Sequence, residues 1–369
     1  MPPTALATDV QELDEPPVPS ASGWRDRVAA QRWWFTRVLM LPVQLVLFAV
    51  AAFFLVLLIP GDPITIMTGG RLSDADYAAV RTQLGFDRSI PTQLCTFLTG
   101  LVHLDFGTSI TTGRPLSEDF AVRIPQTLEL IVLGVVGATV CSLVISYVAV
   151  VYRRTWISKI IVGYARSAGA LPEFVLGVAA VFIFYATLQW SPAPSGRLDF
   201  AFSDPPRVTG FPLVDAAIGG DPALFGSAVA HLILPVLVMI VAHSAILTKT
   251  LVNSLADAID AAPTRFRIAS GAPQRTVVYS IYRRAMPAMI AMLGTLFGYM
   301  IGGAVVLESL FGLGGMGQYA VDAVNSADII ALRGFLVVIA AMSLTVFLVA
   351  DLLTMSVDIR RRPSYSKGA

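Results

Sequence analysis

The chain carries several apolar runs of about twenty residues, enough to cross the roughly 30 Å hydrocarbon layer of a bilayer as helices. This feature constrains the fold most. Hydrocarbon offers no partner to backbone N–H and C=O groups, so a spanning segment must pair them itself, which an α-helix does. The runs lie near 38–59, 128–152, 157–188, 232–252, 286–307 and 336–357. Apolar residues make up 55% of the chain and charged residues 14%, against about 25% charged in ordinary globular domains. The economical reading is an all-α polytopic membrane protein with six transmembrane helices. Gly169-Ala170-Leu171-Pro172 interrupts the third run, where proline removes a ladder hydrogen bond and predicts a kink or break.

Residues 1–37 read as a cytoplasmic N-terminus. The first 22 or so, rich in Pro, Ala, Ser and acids without periodicity, are expected to be disordered. Trp24, Arg25, Arg27, Arg32, Trp33 and Trp34 then suit a headgroup interface. The apolar run at 38–59 is too long and too deep in the chain for a secretory signal, so it is read as a retained span. The transmembrane domain is set at 38–358 and a cytoplasmic tail at 359–369.

Loop charge orients the chain. Arg37 and its neighbours, Arg153, Arg154 and Lys159, then Arg265, Arg267, Arg275, Arg283 and Arg284, and finally Arg360, Arg361 and Arg362 fall on one side of a six-span bundle. The positive-inside rule makes that side cytoplasmic, with both termini there. The external loops are 60–125 and 190–230. In the first, Ser73 with Asp74 and Asp76 marks a helix start, with an end near Gly85, and a second helix is expected over 91–101. The second external loop, rich in Pro and Gly, reads as mostly irregular.

Little in the chain supports chemistry of its own. No GxxxxGK[ST], HExxH or GxSxG motif occurs, Cys95 and Cys141 read as free thiols, and His103, His231 and His243 lack metal-ligand spacing. The glycine-rich stretch from Gly312 to Gly317 follows an apolar run and has no lysine, so it reads as a tight turn re-entering the membrane. Ionisable residues within spans are the next place to look. Glu129, Arg166, Lys249 and Asp351 lie near span ends. Glu173 follows the proline break and Glu308 precedes the glycine turn; each either lines a water-filled translocation path or stabilises packing and helix termini.

The cytoplasmic loop at 253–284 is polar and basic between two greasy stretches. Leu255, Ile259 and Ala262 share one helical face; Pro263 breaks it, and Thr264 is placed to cap a second short helix carrying Phe266, Ala269 and Gly271. Such helices dock into partner grooves or lie on lipid headgroups, and composition leaves both open.

Several strings, in order along most of the chain, resemble the permease subunits of bacterial peptide-type ATP-binding-cassette importers, the dipeptide/oligopeptide/nickel permease family, and its B-type member in particular. They are Leu58-Ile59-Pro60-Gly61-Asp62-Pro63, Leu84-Gly85-Phe86-Asp87, Asp105-Phe106-Gly107-Thr108-Ser109, Arg123-Ile124-Pro125-Gln126-Thr127-Leu128-Glu129, Glu308-Ser309-Leu310-Phe311 with Gly314 to Gly317, and Asp351-Leu352-Leu353 with Asp358-Ile359-Arg360. The resemblance implies a type I importer permease fold. It also implies that 253–284 is an ATPase-coupling loop, with Asp257, Arg265, Phe266, Arg267, Ala269 and Gly271 at or within its motif. Pro263 stands where the family usually has an aromatic, and Arg267 where it has a small alanine.

The implied function is that of a permease subunit forming half of a pathway for short peptides by alternating access. The implied partners are a homologous second permease, two cytoplasmic ATPases, an external solute-binding protein and the lipid bilayer, with no nucleic acid. The chain itself would be no enzyme and hold no cofactor or metal, ATP and magnesium belonging to the ATPases. The expected location is the bacterial cytoplasmic membrane. The alternatives are the same machine carrying nickel, metal chelates or another small solute, and an ion-driven carrier acting alone. The latter would call for internal repeats or a charge relay, neither of which the sequence displays.

Overall fold

A computed structural model describes residues 24–357, apart from 168. The expected disorder of the first residues and the motif at Asp358-Ile359-Arg360, with the tail arginines, lie outside the described residues. In chain order the helices are α1 (Trp24–Leu57), α2 (Pro63–Thr68), α3 (Asp74–Gln83), α4 (Ile90–Val102), α5 (Leu116–Val151), α6 (Trp156–Arg166), α7 (Glu173–Ala180) continued by a π-helical segment (Val181–Thr187), α8 (Pro212–Ile218), α9 (Pro222–Asp260), α10 (Ala262–Ala269), α11 (Gln274–Phe311), α12 (Met316–Asn325) and α13 (Ile329–Val357). Among the described residues the one element of β pairing is an isolated bridge between Thr108 and Pro115.

Among the described residues five helices, α1, α5, α9, α11 and α13, contain stretches long and apolar enough to cross a membrane. The sequence predicts six. The difference lies in the third run, which the structure divides: α6 ends at Arg166, Gly169 adopts φ +76°, and a new helix starts after Pro172. The apolar piece that follows, Glu173–Thr187, is shorter than a full span.

Most long helices overrun the apolar run that announces them. α1 begins at Trp24, within the segment read as interfacial, rather than at 38. α9 begins at Pro222 rather than near 232, so the second external loop is less irregular than expected and also contains α8. For α9 the reason is capping. Asp221 accepts from the N–H groups of Ala223 and Leu224 at 2.9 and 3.3 Å, and Pro222 fits the first helical turn. Hydropathy marks the buried stretch of a helix, whereas caps mark its ends. The first external loop follows its signals: Ser73 accepts from Asp76 N–H and donates to the Asp76 carboxylate, opening α3, and α4 runs over the predicted segment.

α5 packs against α9, α9 against α11, α11 against α13, and α13 against α1. The main core lies where α5, α9 and α11 meet α7, with Leu130, Met239, Leu296 and Met300 fully buried. Lipid-length helices gain little from apolar burial among themselves, so close approach of small residues does much of the packing. Gly134 sits over Met239, where an added Cβ would stand 3.1 Å from the methionine side chain, and Ser142, Ser146 and Thr248 are buried in the bundle. Arg37 and Asp351 form an ion pair between α1 and α13.

Candidate functional site

The sequence-predicted coupling residues come together at one end of the bundle. α9 has 39 residues and α11 has 38, so each is about 57 Å long at 1.5 Å per residue, against about 30 Å of hydrocarbon. Their facing ends are therefore stalks, and α10 joins them. Leu255 and Ala258 on the α9 stalk are buried, and Leu255 packs with Leu251, Ala285 and Met289 in a small core of its own. Asp257 faces outward.

Local chemistry sets α10. The break falls at Ala261, which is extended at ψ 141°, and Pro263 then occupies the first turn of the new helix. Pro263 thus starts α10 as much as it ends α9. Thr264 does not cap it, as the sequence suggested. It lies inside the first turn, fully buried, and its Oγ1 donates to the Ala258 carbonyl at 2.7 Å, tying α10 back to α9. Gly271 closes the helix at φ +71°, a left-handed conformation that suits glycine.

Apart from Thr264, no residue of α10 is buried. Phe266 is 73% exposed and Ile268 58%, with Arg265, Arg267 and Ala269 exposed around them. An eight-residue helix that alternates two arginines with two large exposed apolar side chains has the surface chemistry that an apolar, acidic recess would complement.

The far end of the bundle holds a second constellation that sequence reasoning largely missed. Arg197, in the loop before α8, donates from Nη1 to Glu129 at 2.7 Å, from Nη2 to the Gln126 carbonyl at 2.7 Å, and from Nε to the Leu313 carbonyl at 2.8 Å. The other Glu129 oxygen accepts from Leu213 N–H at 2.8 Å. Burial pulls the Arg197 guanidinium below its ordinary value, opposed by the Glu129 charge beside it. Arg123 donates to the Gly314 carbonyl and lies over the Tyr319 ring. Four residues of one motif on α5, Arg123, Gln126, Thr127 and Glu129, thus clasp the glycine turn and the external loop. Nothing in the external loop's sequence singled out Arg197; only the odd pairing of a glutamate with an apolar run at Glu129 hinted that a cation must answer it.

Glu308 belongs to this end. It is fully buried, and one carboxylate oxygen accepts from Gly317 N–H at 2.6 Å while Thr127 Oγ1 accepts from Met316 N–H at 2.8 Å. Two side chains from other helices therefore satisfy the first donors of α12. A Cβ at Gly315 would collide with that carboxylate, and one at Gly317 with the α11 backbone at Val305. The glycine turn folds α12 back against α11, α5 and α13.

Glu173 stands apart. It opens α7 and faces α9 and α11: one oxygen lies 3.7 Å from His243 Nε2, the other is buried without a hydrogen-bond partner, and a Cβ at Gly303 would strike the carboxylate. Glu173 abuts α11 and Glu308 is part of it, but the two belong to separate clusters. Among the described residues no group of His, Cys, Asp and Glu side chains could hold a metal ion.

Residues 131–363 match the family model described as binding-protein-dependent transport system inner membrane component, and residues 31–131 match its N-terminal companion. The chain is 33% identical over 335 residues to the probable D,D-dipeptide transport system permease protein DdpB of Escherichia coli (strain K12), covering 90% of this chain and 96% of that one. It is 31% identical to the dipeptide transport system permease protein DppB of the same organism, covering 84% and 92%. It is 28% identical to the glutathione transport system permease protein GsiC of Salmonella typhi, covering 87% and 96%.

Proposed function

The chain belongs to the binding-protein-dependent transport system inner membrane component family, and on that premise we propose that it forms half of the transmembrane path of an ATP-driven importer of short peptides. Relatives named for dipeptides and for glutathione favour a peptide cargo over a nickel chelate or a lone ion-driven carrier. The path is completed by a homologous permease, powered by two cytoplasmic ATPases and supplied by an external solute-binding protein. In this reading Glu173–Thr187 and α6 together make the sixth crossing, in two pieces, and both termini lie in the cytoplasm.

One observation carries the mechanism: α10, with exposed Phe266 and Ile268 alternating with Arg265 and Arg267, is presented on two stalks that run on into the core. The ATPases grip α10. Their closure moves the α9 and α11 stalks as levers, because Thr264 and the small core around Leu255 prevent α10 from swivelling freely. The two permeases rock, opening the path outward, and hydrolysis resets it. Asp257 and Gly271 border the grip, and Ala269 leaves room on its face. Glu173, unpaired on one oxygen, borders the path, whereas Glu308 acts on it through the glycine turn.

The test is Arg265→Glu and, separately, Gly271→Pro, which cannot adopt the positive φ of that turn. Both variants should insert normally yet lose peptide-stimulated ATP hydrolysis and uptake when reconstituted with the partner subunits. Normal uptake by both would assign α10 another role.

A further inference from the structure

Arg333, in the second turn of α13, is a buried cation without a counter-charge among the described residues. It is 7% exposed, its Nε and Nη2 are buried with no hydrogen-bond partner, and among the described residues no carboxylate lies within 4 Å of it. Its guanidinium lies 4.5 Å over the Phe53 ring of α1, which offsets part of the desolvation. A guanidinium carries five donors in a fixed fork, and buried ions are ordinarily paired. Arg197 at the same end of the bundle shows the satisfied state, with three acceptors; Arg333 has none of these.

Arg333 lines an open cavity of about 310 Å³ between α4 and the start of α13, with Arg88, Gln93 and Thr96 also on its wall. The one carboxylate lining it, Asp105, accepts from Gly107 N–H at 2.9 Å. In the chain between Gly100 and Asp105 of the cavity wall, Val102 is 81% exposed and Leu104 73%. On the α1 side Phe54, Leu55 and Leu58 are exposed near Phe53. A cationic recess bordered by bare apolar side chains, at the end of the spans, has the two-part chemistry of an amphiphile.

We propose that this cavity binds the phosphate headgroup of an anionic phospholipid, with Arg333 as the principal ligand, Arg88 assisting at the rim, and the acyl chains lying against α1 and the end of α4. A free phosphate or a carboxylate would satisfy Arg333 but leave Val102 and Leu104 unused. The planar fork suits two phosphate oxygens at once, which a lysine would not reproduce. The proposal is independent of the transport reading, since its readout is lipid occupancy rather than uptake.

The full-length chain, with the subunits that co-purify, is placed in nanodiscs of phosphatidylcholine doped with phosphatidylglycerol, released into detergent and weighed by native mass spectrometry. The wild type should retain phosphatidylglycerol over phosphatidylcholine. Arg333→Gln should retain it about tenfold less, equivalent to about 1.4 kcal/mol, and millimolar inorganic phosphate should not displace it. Arg88→Gln, at an exposed position that leaves the fold intact, should give a smaller loss and serves as the reading should Arg333→Gln fail to assemble. Equal retention by wild type and Arg333→Gln overturns the site, as does equal retention by Arg88→Gln where it is the only measurable variant. Ready displacement by inorganic phosphate, or retention without lipid preference, overturns the lipid assignment.

Discussion

Glu129 and Arg197 illustrate how much one buried pair decides. The guanidinium closes three bonds, to α5, to the glycine turn and to Glu129, while Glu129 also holds the start of α8. Removing one partner strands the other's charge, at a cost of about 3–5 kcal/mol, whereas replacing both with apolar residues avoids the stranded ion. Arg197→Met should therefore lower the thermal stability of the detergent-solubilised protein more than Arg197→Met/Glu129→Met does. Thermal unfolding followed by fluorescence gives the order directly, and a double variant no more stable than the single one would mean that the carbonyl bonds of Arg197, not its charge, hold the loop. Glu129 was visible in the sequence as a charge in an apolar run. Its partner was not, because the two stand 68 positions apart in sequence and the external loop has no periodicity to locate a side chain.

At the scale of elements, α10 depends on its junctions more than on its own sequence. Eight residues are too few to hold a helix in water unaided, and only Thr264 is buried. The Thr264 hydroxyl on the Ala258 carbonyl is thus the chief tether within the hinge. Thr264→Val keeps the shape and removes that bond, worth about 1–2 kcal/mol when a buried carbonyl loses its donor. Amide exchange over 262–269 should then quicken about five- to thirtyfold, with exchange in the α5–α9–α11 core unchanged. Unaltered exchange in α10 would mean that packing of Pro263 and Gly271 suffices. The existence of a short helix with Phe266 and Ala269 was readable from sequence. The tether was misread as a cap, since a threonine after a proline looks like a start signal until the backbone shows that the helix has already begun.

Considered whole, the molecule has two ends that the proposed function employs: the clasped glycine turn with the loops beside it at one, and α10 at the other. Cys95 on α4 is exposed at the first end, and Ser270 is exposed just beyond α10 at the second. A membrane-impermeant maleimide should label Cys95 in intact cells. In a Cys95→Ser/Cys141→Ser background it should label Ser270→Cys only after permeabilisation. Labelling of both from outside would contradict the orientation that the arginine-rich segments imply.

The amino-acid sequence by itself determined the class of fold, because no other structure lets apolar runs of this length satisfy their backbones in lipid. It also determined the family, through short strings kept in order, and the exposed loop, through a polar interruption between two greasy stretches. The tertiary structure alone decided how the third run is cut, which cation answers Glu129, what caps α12, and that Arg333 finds no acceptor for its Nε and Nη2 among the described residues. Those outcomes depend on which helix faces which. In a chain apolar on nearly every side, hydropathy sets depth in the bilayer but carries almost no information about rotation around a helix axis.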